Sequence, residues 1–233
     1  MATRPVYCSS EFAPYVQIVN VNFTFYSGFS ATQKQKSFLS LHENFRKDSQ
    51  YHNILEVSSK SDVDLGVSLS AFNLKITTKN RSFSVENAFQ SSKVFELGGP
   101  YIDLLDVSSK EAKKDERLKN SGKLIAFNYF KKLYPLEPKD FFYNWLYINA
   151  LYLNLKFSKQ ILEYDAFTDI EFNPQKSINC QAKAAAIFVG LSRAKKLEEA
   201  LLSHDNFLNI VYNKQLSKTN YEQISFNLSE ENL

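Results

Sequence analysis

The chain has 233 residues, of which 44% are hydrophobic and 23% charged, a composition of a folded globular protein and not of a disordered one. The net charge of +3 is too small to indicate a nucleic-acid-binding protein without a local basic patch. Glycine occurs only 6 times and neither GxGxxG nor GxxxxGK[ST] is present, which argues against a glycine-rich phosphate-binding loop.

Cysteine and histidine are too sparse to indicate a metal site or a nucleophilic triad. Cys8 and Cys180 lie far apart and form no CxxC pair, and the three histidines have no ligand-like spacing. We therefore expect no bound metal. Since the chain does not begin with a charged segment followed by an apolar one, we expect no signal peptide, a cytoplasmic location with reduced thiols, and no membrane contact.

The first 80 residues predict mainly strands. Alternation of apolar and polar residues indicates strands, and apolar residues at helical spacing indicate one helix. The predicted elements are an irregular segment over 1–15, a strand over 19–26, a helix over 31–46, and strands over 54–57 and 69–77.

Helix start and stop signals predict the elements that follow. Ser84 can cap a helix that Gly98 ends, and the apolar run after Pro138, which contains the single tryptophan, predicts a helix buried on all sides. The predicted elements are helices over 85–97, 110–117, 123–134 and 141–157, a loop over 164–177, and a helix from 178.

Residues 84–93 (SVENAFQSSK) contain the pair of charges on which the functional interpretation depends. On one continuous helix, Glu86 and Lys93 would project within roughly 20° of one another and lie roughly 10 Å apart along the axis. That separation is too long for a simple ion pair and leaves room for part of a ligand. Two ordinary surface charges at the edge of the core are the alternative interpretation.

Two further segments are rich in charge. Residues 110–117 (KEAKKDER) predict a solvated helix face or, alternatively, a patch that contacts phosphates. Residues 164–177 place three acids between large aromatic side chains, which is unusual for a connecting loop. Acids that flank a bond suit glycosidic cleavage, because an oxocarbenium-like ion needs nearby negative charge and the attacking water needs a base. The residues alone do not select that reaction.

Residues 84–93 resemble the S-x-E-x-x-F-Q-x-x-K motif of the NADAR fold, whose members are N-glycosidases and ADP-ribosyl hydrolases. Residues 69–72 (LSAF) are similar to the family's F-S-N-F element, with alanine in place of the asparagine. Residues 165–168 (DAFT) are similar to its D-x-x-W segment, with threonine in place of the tryptophan. Asn179 falls at the asparagine of a later N-x-L-G element that here lacks the glycine. The resemblance spans about 54–192.

Residues 165–182 (DAFTDIEFNPQKSINCQA) look like one NADAR branch, the branch paired with DarT-type toxins that attach ADP-ribose to guanine in DNA. The resemblance implies an antitoxin N-glycosidase that removes the ADP-ribose and restores the base. The partners that it implies are ADP-ribosylated DNA with a flipped or single-stranded guanine, ADP-ribose and a cognate DarT-type toxin. It implies no cofactor. The lysine-rich segment 110–123 is the expected contact with the DNA backbone.

The resemblance also implies roles for single residues. Glu86 would be the catalytic carboxylate, Lys93 would hold a ribose oxygen or attack a ring-opened sugar, and Asp165 would orient the ribose or supply a second acid. For Phe72 and Trp145, a place in the core is the alternative. The residues implied for substrate binding are Ser70, Phe72, Phe89, Trp145, Asp169, Asn179 and Gln181.

We therefore expect a predominantly helical single α+β domain of NADAR type with a small β-sheet. Its predicted organisation is an N-terminal extension over 1–50 packed on the core, a NADAR-like glycosidase domain over 51–215 and a polar tail over 216–233. Two alternative functions remain open at this point. One is an N-glycosidase that acts on small ribosyl or NAD-related metabolites, and the other is a non-catalytic module that binds ADP-ribose or neutralises a toxin by contact.

Overall fold

β-Strands form three small sheets within residues 1–51 and 53–214, the part of the chain that the computed structural model describes. The strands are β1 (Ala2–Ser9), β2 (Val16–Phe23), β3 (Ile54–Glu56), β4 (Lys75–Thr77), β5 (Ser82–Ser84), β6 (Lys93–Phe95), β7 (Leu124–Tyr129), β8 (Lys132–Tyr134) and β9 (Ala166–Thr168). The sheets have the strand orders β2-β1-β9-β3, β4-β5 and β6-β7-β8.

Helices contain more residues than the strands do. They are α1 (Ala31–Lys47), α2 (Asp64–Ser68), α3 (Val85–Ser91), α4 (Ser109–Lys114), α5 (Arg117–Asn120), α6 (Phe141–Leu153), α7 (Leu155–Gln160), α8 (Gln181–Arg193), α9 (Leu197–Leu201) and α10 (His204–Tyr212), with 3-10 turns at Ile102–Leu105 and Ile161–Glu163. Together the helices and sheets form a single, predominantly helical α+β domain, which confirms the predicted fold class.

The N-terminal residues form a strand, so the prediction of an irregular segment over 1–15 is wrong. β1 pairs antiparallel with β2 along its whole length and with β9 at Tyr7 and Cys8. Val6 and Cys8 are fully buried and supply the apolar face of this strand. Pro5 is tolerated because β9 does not reach it, so that side of β1 has no ladder to interrupt. The boundary predicted at residue 50 stays a prediction, and the predicted tail over 216–233 lies outside the described residues.

A hairpin replaces the helix predicted over 123–134. β7 and β8 pair antiparallel with Tyr129 opposite Lys132, so Phe130 and Lys131 form the turn. Both turn residues have positive φ, at 48° and 64°. Such turns usually contain Asn or Gly, and neither is present here to signal the hairpin.

Two other predicted segments also differ from the structure. The loop predicted over 164–177 contains β9, which is buried and lies between β1 and β3. The strand predicted over 69–77 is a strand only at Lys75–Thr77, because α2 ends at Ser68 and a turn follows it. Three-residue strands are too short to show alternation, so the sequence pattern does not reveal them.

The central helices α6 and α8 pack against each other in the larger core. The predicted burial of α6 on all sides holds for most of the helix, but Trp145, Asn149 and Tyr152 are half-buried and Leu153 is exposed. The helix begins after Asp140, and Asn154 separates it from α7. α8 also approaches the β1–β2 connection so closely that a Cβ at Gly190 would collide with the carbonyl oxygens of Ser10 and Tyr15. Within the described part of the chain, no helix combines the length and the hydrophobicity needed to cross a bilayer.

Candidate functional site

A cavity of about 1060 Å³ opens between α3, β6, α6 and the segment that joins β9 to α8. Its volume is slightly above the usual range of small-molecule sites, about 300–1,000 Å³. The predicted site residues that line it are Ser70, Phe72, Glu86, Phe89, Lys93, Asp169, Asn179 and Gln181.

Glu86 lies in the first turn of α3, where its carboxylate is held on the cavity wall. The Ser84 side chain caps this helix by accepting from the Asn87 N–H at 3.0 Å, and the Glu86 N–H donates to the Ala71 carbonyl oxygen at 2.9 Å. Although Glu86 is charged, it is only 5% exposed. Its Oε1 accepts from Gln90 Nε2 at 2.9 Å, whereas no described residue binds Oε2.

Lys93 lies on a strand and not on the same helix as Glu86, so the helical geometry predicted for the pair is wrong. α3 ends at Ser91, and Lys93 begins β6, where it pairs with Phe127 of β7. The Ser92 hydroxyl donates back to the Ala88 carbonyl oxygen at 2.6 Å at the point where the helix gives way to the strand. Glu86 and Lys93 still line the same cavity.

The environment of Lys93 lowers the pKa of its amine. Burial is the largest cause, and the positive charge of Lys113 adds to it, whereas the carboxylate of Glu86 opposes both. The Lys93 Nζ also lies 5.0 Å from the centroid of the Phe89 ring. A larger fraction of this amine is therefore neutral near physiological pH than is usual for lysine.

Lys113 is a cavity residue that the sequence pattern did not single out. Its Nζ lies 3.9 Å from Glu86 Oε1 and 5.1 Å from the centroid of the Phe72 ring. The sequence predicted a solvated face for this segment, and the Lys113 side chain is indeed 58% exposed, but it stands at the cavity mouth. The capping box formed by Ser108 and Glu111 fixes the start of α4 and could have indicated the helix register.

Hydrogen bonds attach α4 to the elements that position Glu86. The Ser109 hydroxyl lies 2.8 Å from that of Ser84, the cap of α3, and donates to the Phe72 carbonyl oxygen at 3.0 Å. The Asn87 side chain donates to the carbonyl oxygens of Leu104 at 2.7 Å and Val107 at 2.9 Å. These contacts fix Lys113 relative to Glu86.

Gln181, at the start of α8, connects two parts of the cavity wall. Its Oε1 accepts from the Ala71 N–H at 2.7 Å, and its Nε2 donates to the Val57 carbonyl oxygen at 2.6 Å. Both polar atoms of this side chain are thus occupied by backbone groups. The contacts suit a residue that positions the 69–72 turn against the end of β3.

Asp169 places a second carboxyl group on the wall. Burial, and then the neighbouring carboxyl of Glu56, raise the pKa of Asp169 well above its usual range. Its Oδ1 accepts from the N–H groups of Glu171 at 3.0 Å and Phe172 at 3.1 Å. The group is held in place by its own loop and favours the neutral form.

The structure does not bring Asp165 and Trp145 to the cavity, which corrects their predicted place in the cleft. Asp165 precedes β9 and Asp169 follows it four positions later, so the strand separates their backbones by about 13 Å. The Asp165 carboxylate instead accepts from Arg193 Nη2 at 3.0 Å. Tyr143 of α6 lines the cavity, and Trp145, two positions later, lies about 200° further round the helix, on nearly the opposite side. The Trp145 ring packs against Tyr134, with ring centroids 5.0 Å apart.

Comparison with protein-family models assigns the chain to a family. A family model described as the DarT1-associated NADAR antitoxin matches residues 2–221. The chain belongs to this family. The match confirms the NADAR resemblance and the antitoxin branch, and it extends from β1 through α10. A search of curated proteins finds no match.

In this NADAR antitoxin, the cavity combines groups of opposite character. A buried carboxylate and an amine of lowered pKa face one space, and the exposed lysines Lys113, Lys139 and Lys176 stand at its edge. Such a set can stabilise a developing cation, supply a nucleophilic amine and attract anionic phosphates. No group of three or more His, Cys, Asp or Glu side chains within residues 1–51 and 53–214 is arranged to hold a metal ion.

Proposed function

We propose that this antitoxin is an N-glycosidase that hydrolyses the bond between ADP-ribose and guanine in DNA and so reverses the action of a DarT-type toxin. The observation that carries the proposal is the carboxylate of Glu86, buried on the wall of a large cavity with one oxygen that no residue within 1–51 and 53–214 binds. The family assignment supports the antitoxin role.

Glu86 would act at the anomeric carbon of the ribose. As the bond from that carbon to the guanine nitrogen breaks, its electron pair leaves with the base and positive charge develops on the sugar. Oε1 is held by Gln90 Nε2 at 2.9 Å, so Oε2 is available to stabilise that charge or to accept a proton from the attacking water. The hydroxyl of the water adds to the carbon, and its proton replaces the sugar on the base.

Lys93 has two possible roles in this reaction. Its lowered pKa supports attack by the neutral amine on carbon C1 of the ring-opened ribose. Guanine would leave with the electron pair of its bond to that carbon and take up a proton, a Schiff base between the sugar and Lys93 would remain, and water would hydrolyse it to release ADP-ribose. Alternatively, the amine would only hold a ribose oxygen. Sodium borohydride separates the two, because it reduces a Schiff base to a stable adduct whose mass includes the sugar.

The charged residues at the cavity mouth would bind the anionic parts of the substrate. Lys113, Lys139 and Lys176 line the cavity edge and suit the two phosphates of ADP-ribose. The segment 110–123, which includes α4 and α5, would contact the DNA backbone. A guanine flipped from the duplex, or one in single-stranded DNA, can reach the cavity more readily than a stacked base.

Release of ADP-ribose from DNA tests the proposal directly. Purified protein is incubated with an oligonucleotide that carries one ADP-ribosylated guanine, and free ADP-ribose and restored guanine are measured by mass spectrometry. We expect both products from the wild type and neither from Glu86→Gln. Glu137→Gln is the matched control, because Glu137 lines the same cavity but is exposed.

The same assay distinguishes the two alternatives. An enzyme for small metabolites would cleave free ribosyl substrates and leave the modified oligonucleotide intact. A module that neutralises the toxin by contact would release nothing, and its Glu86→Gln variant would still protect cells that express the toxin.

A further inference from the structure

Tyr143 lies on the cavity wall but has no part in the mechanism described above. It extends from α6 and is only 6% exposed. Its ring meets Phe89 edge-to-face, with centroids 5.2 Å apart, and stacks near Tyr147, with centroids 6.4 Å apart. Because the ring is packed on these neighbours, the hydroxyl is the group that remains for a function in the cavity.

The hydroxyl of Tyr143 makes no hydrogen bond to any residue in the described ranges 1–51 and 53–214. The hydroxyl of Tyr147, one turn further along α6, donates to the Leu69 carbonyl oxygen at 2.7 Å. The Tyr143 oxygen is not sealed off from solvent as the unpaired Trp145 Nε1 is, so it opens into the cavity, where a water or a ligand can supply its hydrogen-bond partner. Of two neighbouring buried tyrosines, the fold therefore supplies a partner for Tyr147 only.

The charge around Tyr143 determines which kind of partner would suit it. Burial, and then the negative charge of Glu86, raise the pKa of Tyr143 well above its usual range, and Asp169 acts in the same direction. The phenol consequently keeps its proton and is a hydrogen-bond donor. Its complement is an acceptor oxygen on a ligand that enters the cavity beside Glu86.

We propose that Tyr143 is a substrate-binding residue whose hydroxyl donates a hydrogen bond to an oxygen of the ribose bound beside Glu86. The inference rests on the proposed function, since that function assigns Glu86 to the anomeric carbon of this ribose. The phenol remains neutral and no proton is transferred. The residue would thus select ligands that carry a ribose at this position.

Calorimetric titration with two probes tests the assignment. ADP-ribose carries the second ribose, and ADP lacks it. We expect Tyr143→Phe to weaken binding of ADP-ribose about 5- to 30-fold, the effect of one hydrogen bond, and to leave binding of ADP within about twofold of the wild type. Since no bond in the free protein is lost, the melting temperature of this variant should not fall.

Tyr147→Phe is the matched control. It removes a hydroxyl from the same helix, but this hydroxyl bonds to the protein. We expect it to lower the melting temperature by about 2–6 °C and to leave binding of ADP-ribose unchanged.

Equal binding of ADP-ribose by wild type and Tyr143→Phe would overturn the assignment, as would an equal loss for both probes or a wild type that binds neither. Hydrolysis reports on the proposed function separately. If the wild type releases nothing from modified DNA but Tyr143→Phe selectively weakens ADP-ribose binding, the proposed reaction fails and the ribose contact stands.

Discussion

At the scale of single residues, the site depends on how the protein keeps a carboxylate and an amine apart. Glu86 Oε1 accepts from Gln90 and lies 3.9 Å from Lys113, while Lys93 lies over the Phe89 ring at 5.0 Å. Each charge is thus held by other neighbours and not by the opposite charge of the pair. Both side chains line the same cavity, and burial lowers the pKa of Lys93 although the carboxylate of Glu86 opposes this.

Lys93→Arg tests whether the neutral amine is needed. Arginine keeps the positive charge but does not lose its proton in the physiological range. We expect release of ADP-ribose to fall at least about 100-fold, a loss of about 2.7 kcal/mol of transition-state stabilisation. The measurement is the single-turnover rate on modified oligonucleotide, together with borohydride trapping. A variant that retains activity within about tenfold would assign Lys93 to substrate positioning alone.

At the scale of elements, the position of α4 determines where the third charge of the site lies. Its link to Ser84 and Phe72 places Lys113 beside Glu86, and the charge of Lys113 contributes to the lowered pKa of Lys93. Removing this cation should leave Glu86 as the main charged neighbour of Lys93 and so raise the pKa of the amine.

Lys113→Gln is therefore expected to move the pH dependence of hydrolysis. If the neutral Lys93 amine reacts, the rate rises with pH through the pKa of Lys93, and the rising limb should shift to higher pH in the variant. The matched control is Lys110→Gln, an exposed residue of the same helix that does not line the cavity. If the rising part of the pH–rate profile lies at the same pH in Lys113→Gln and Lys110→Gln, the role given to Lys113 is contradicted.

The elements also show what the sequence could and could not predict. α1 and the buried helix α6 were predictable because their apolar residues extend over several turns. The boundary between α3 and β6 was not, since β6 has three residues and forms only because β7 pairs with it. The family motif correctly predicted that Glu86 and Lys93 line one cavity. The helical geometry assumed for the pair was wrong, because β6 begins at Lys93.

The residues outside the family motif were the hardest to predict. Lys113 and Tyr143 reach the cavity through the packing of α4 and α6, which local pattern does not encode. Asp165 matched a family segment, but β9 runs between it and the cavity wall and its carboxylate pairs with Arg193. Tertiary packing thus decided which polar residues became neighbours.

At the scale of the whole molecule, a series of buried side-chain hydrogen bonds joins α1 to strands β9 and β3 of the four-stranded sheet. His42 Nε2 lies 2.7 Å from Thr168 Oγ1, which donates to Glu56 Oε2 at 2.6 Å. Because that hydroxyl has one proton, His42 donates to it. Burial, and then the charge of Arg46, lower the pKa of His42 to about 3. The carboxyl of Glu56, on the other side, has a raised pKa because it is buried.

Stability should consequently fall on acidification through His42. In the unfolded chain this histidine takes up a proton near pH 6.5, whereas in the folded protein it does so only near pH 3. Between these pH values the unfolded state binds a proton on His42 that the folded state does not bind. The contribution of His42 to the free energy of unfolding should therefore fall by about 2–3 kcal/mol between pH 6.5 and pH 4.5. Glu56 acts in the opposite sense, since its raised pKa favours proton uptake by the folded state.

Comparison with His42→Gln isolates the contribution of the histidine. Glutamine offers an N–H donor without titrating, so urea unfolding at pH 7.5 and 4.5 should show a smaller loss in this variant. Equal losses in the two proteins would show that His42 is not responsible.

The central claim is that the Glu86 carboxylate cleaves ADP-ribose from guanine. The most direct measurement is the rate of ADP-ribose release from a guanine-modified oligonucleotide by wild type, Glu86→Gln and the exposed-rim control Glu137→Gln. We predict release by the wild type and the control and a loss of at least about 1,000-fold for Glu86→Gln, with ADP-ribose binding retained. A wild type that leaves the modified base intact, or a Glu86→Gln variant as active as the control, would contradict it.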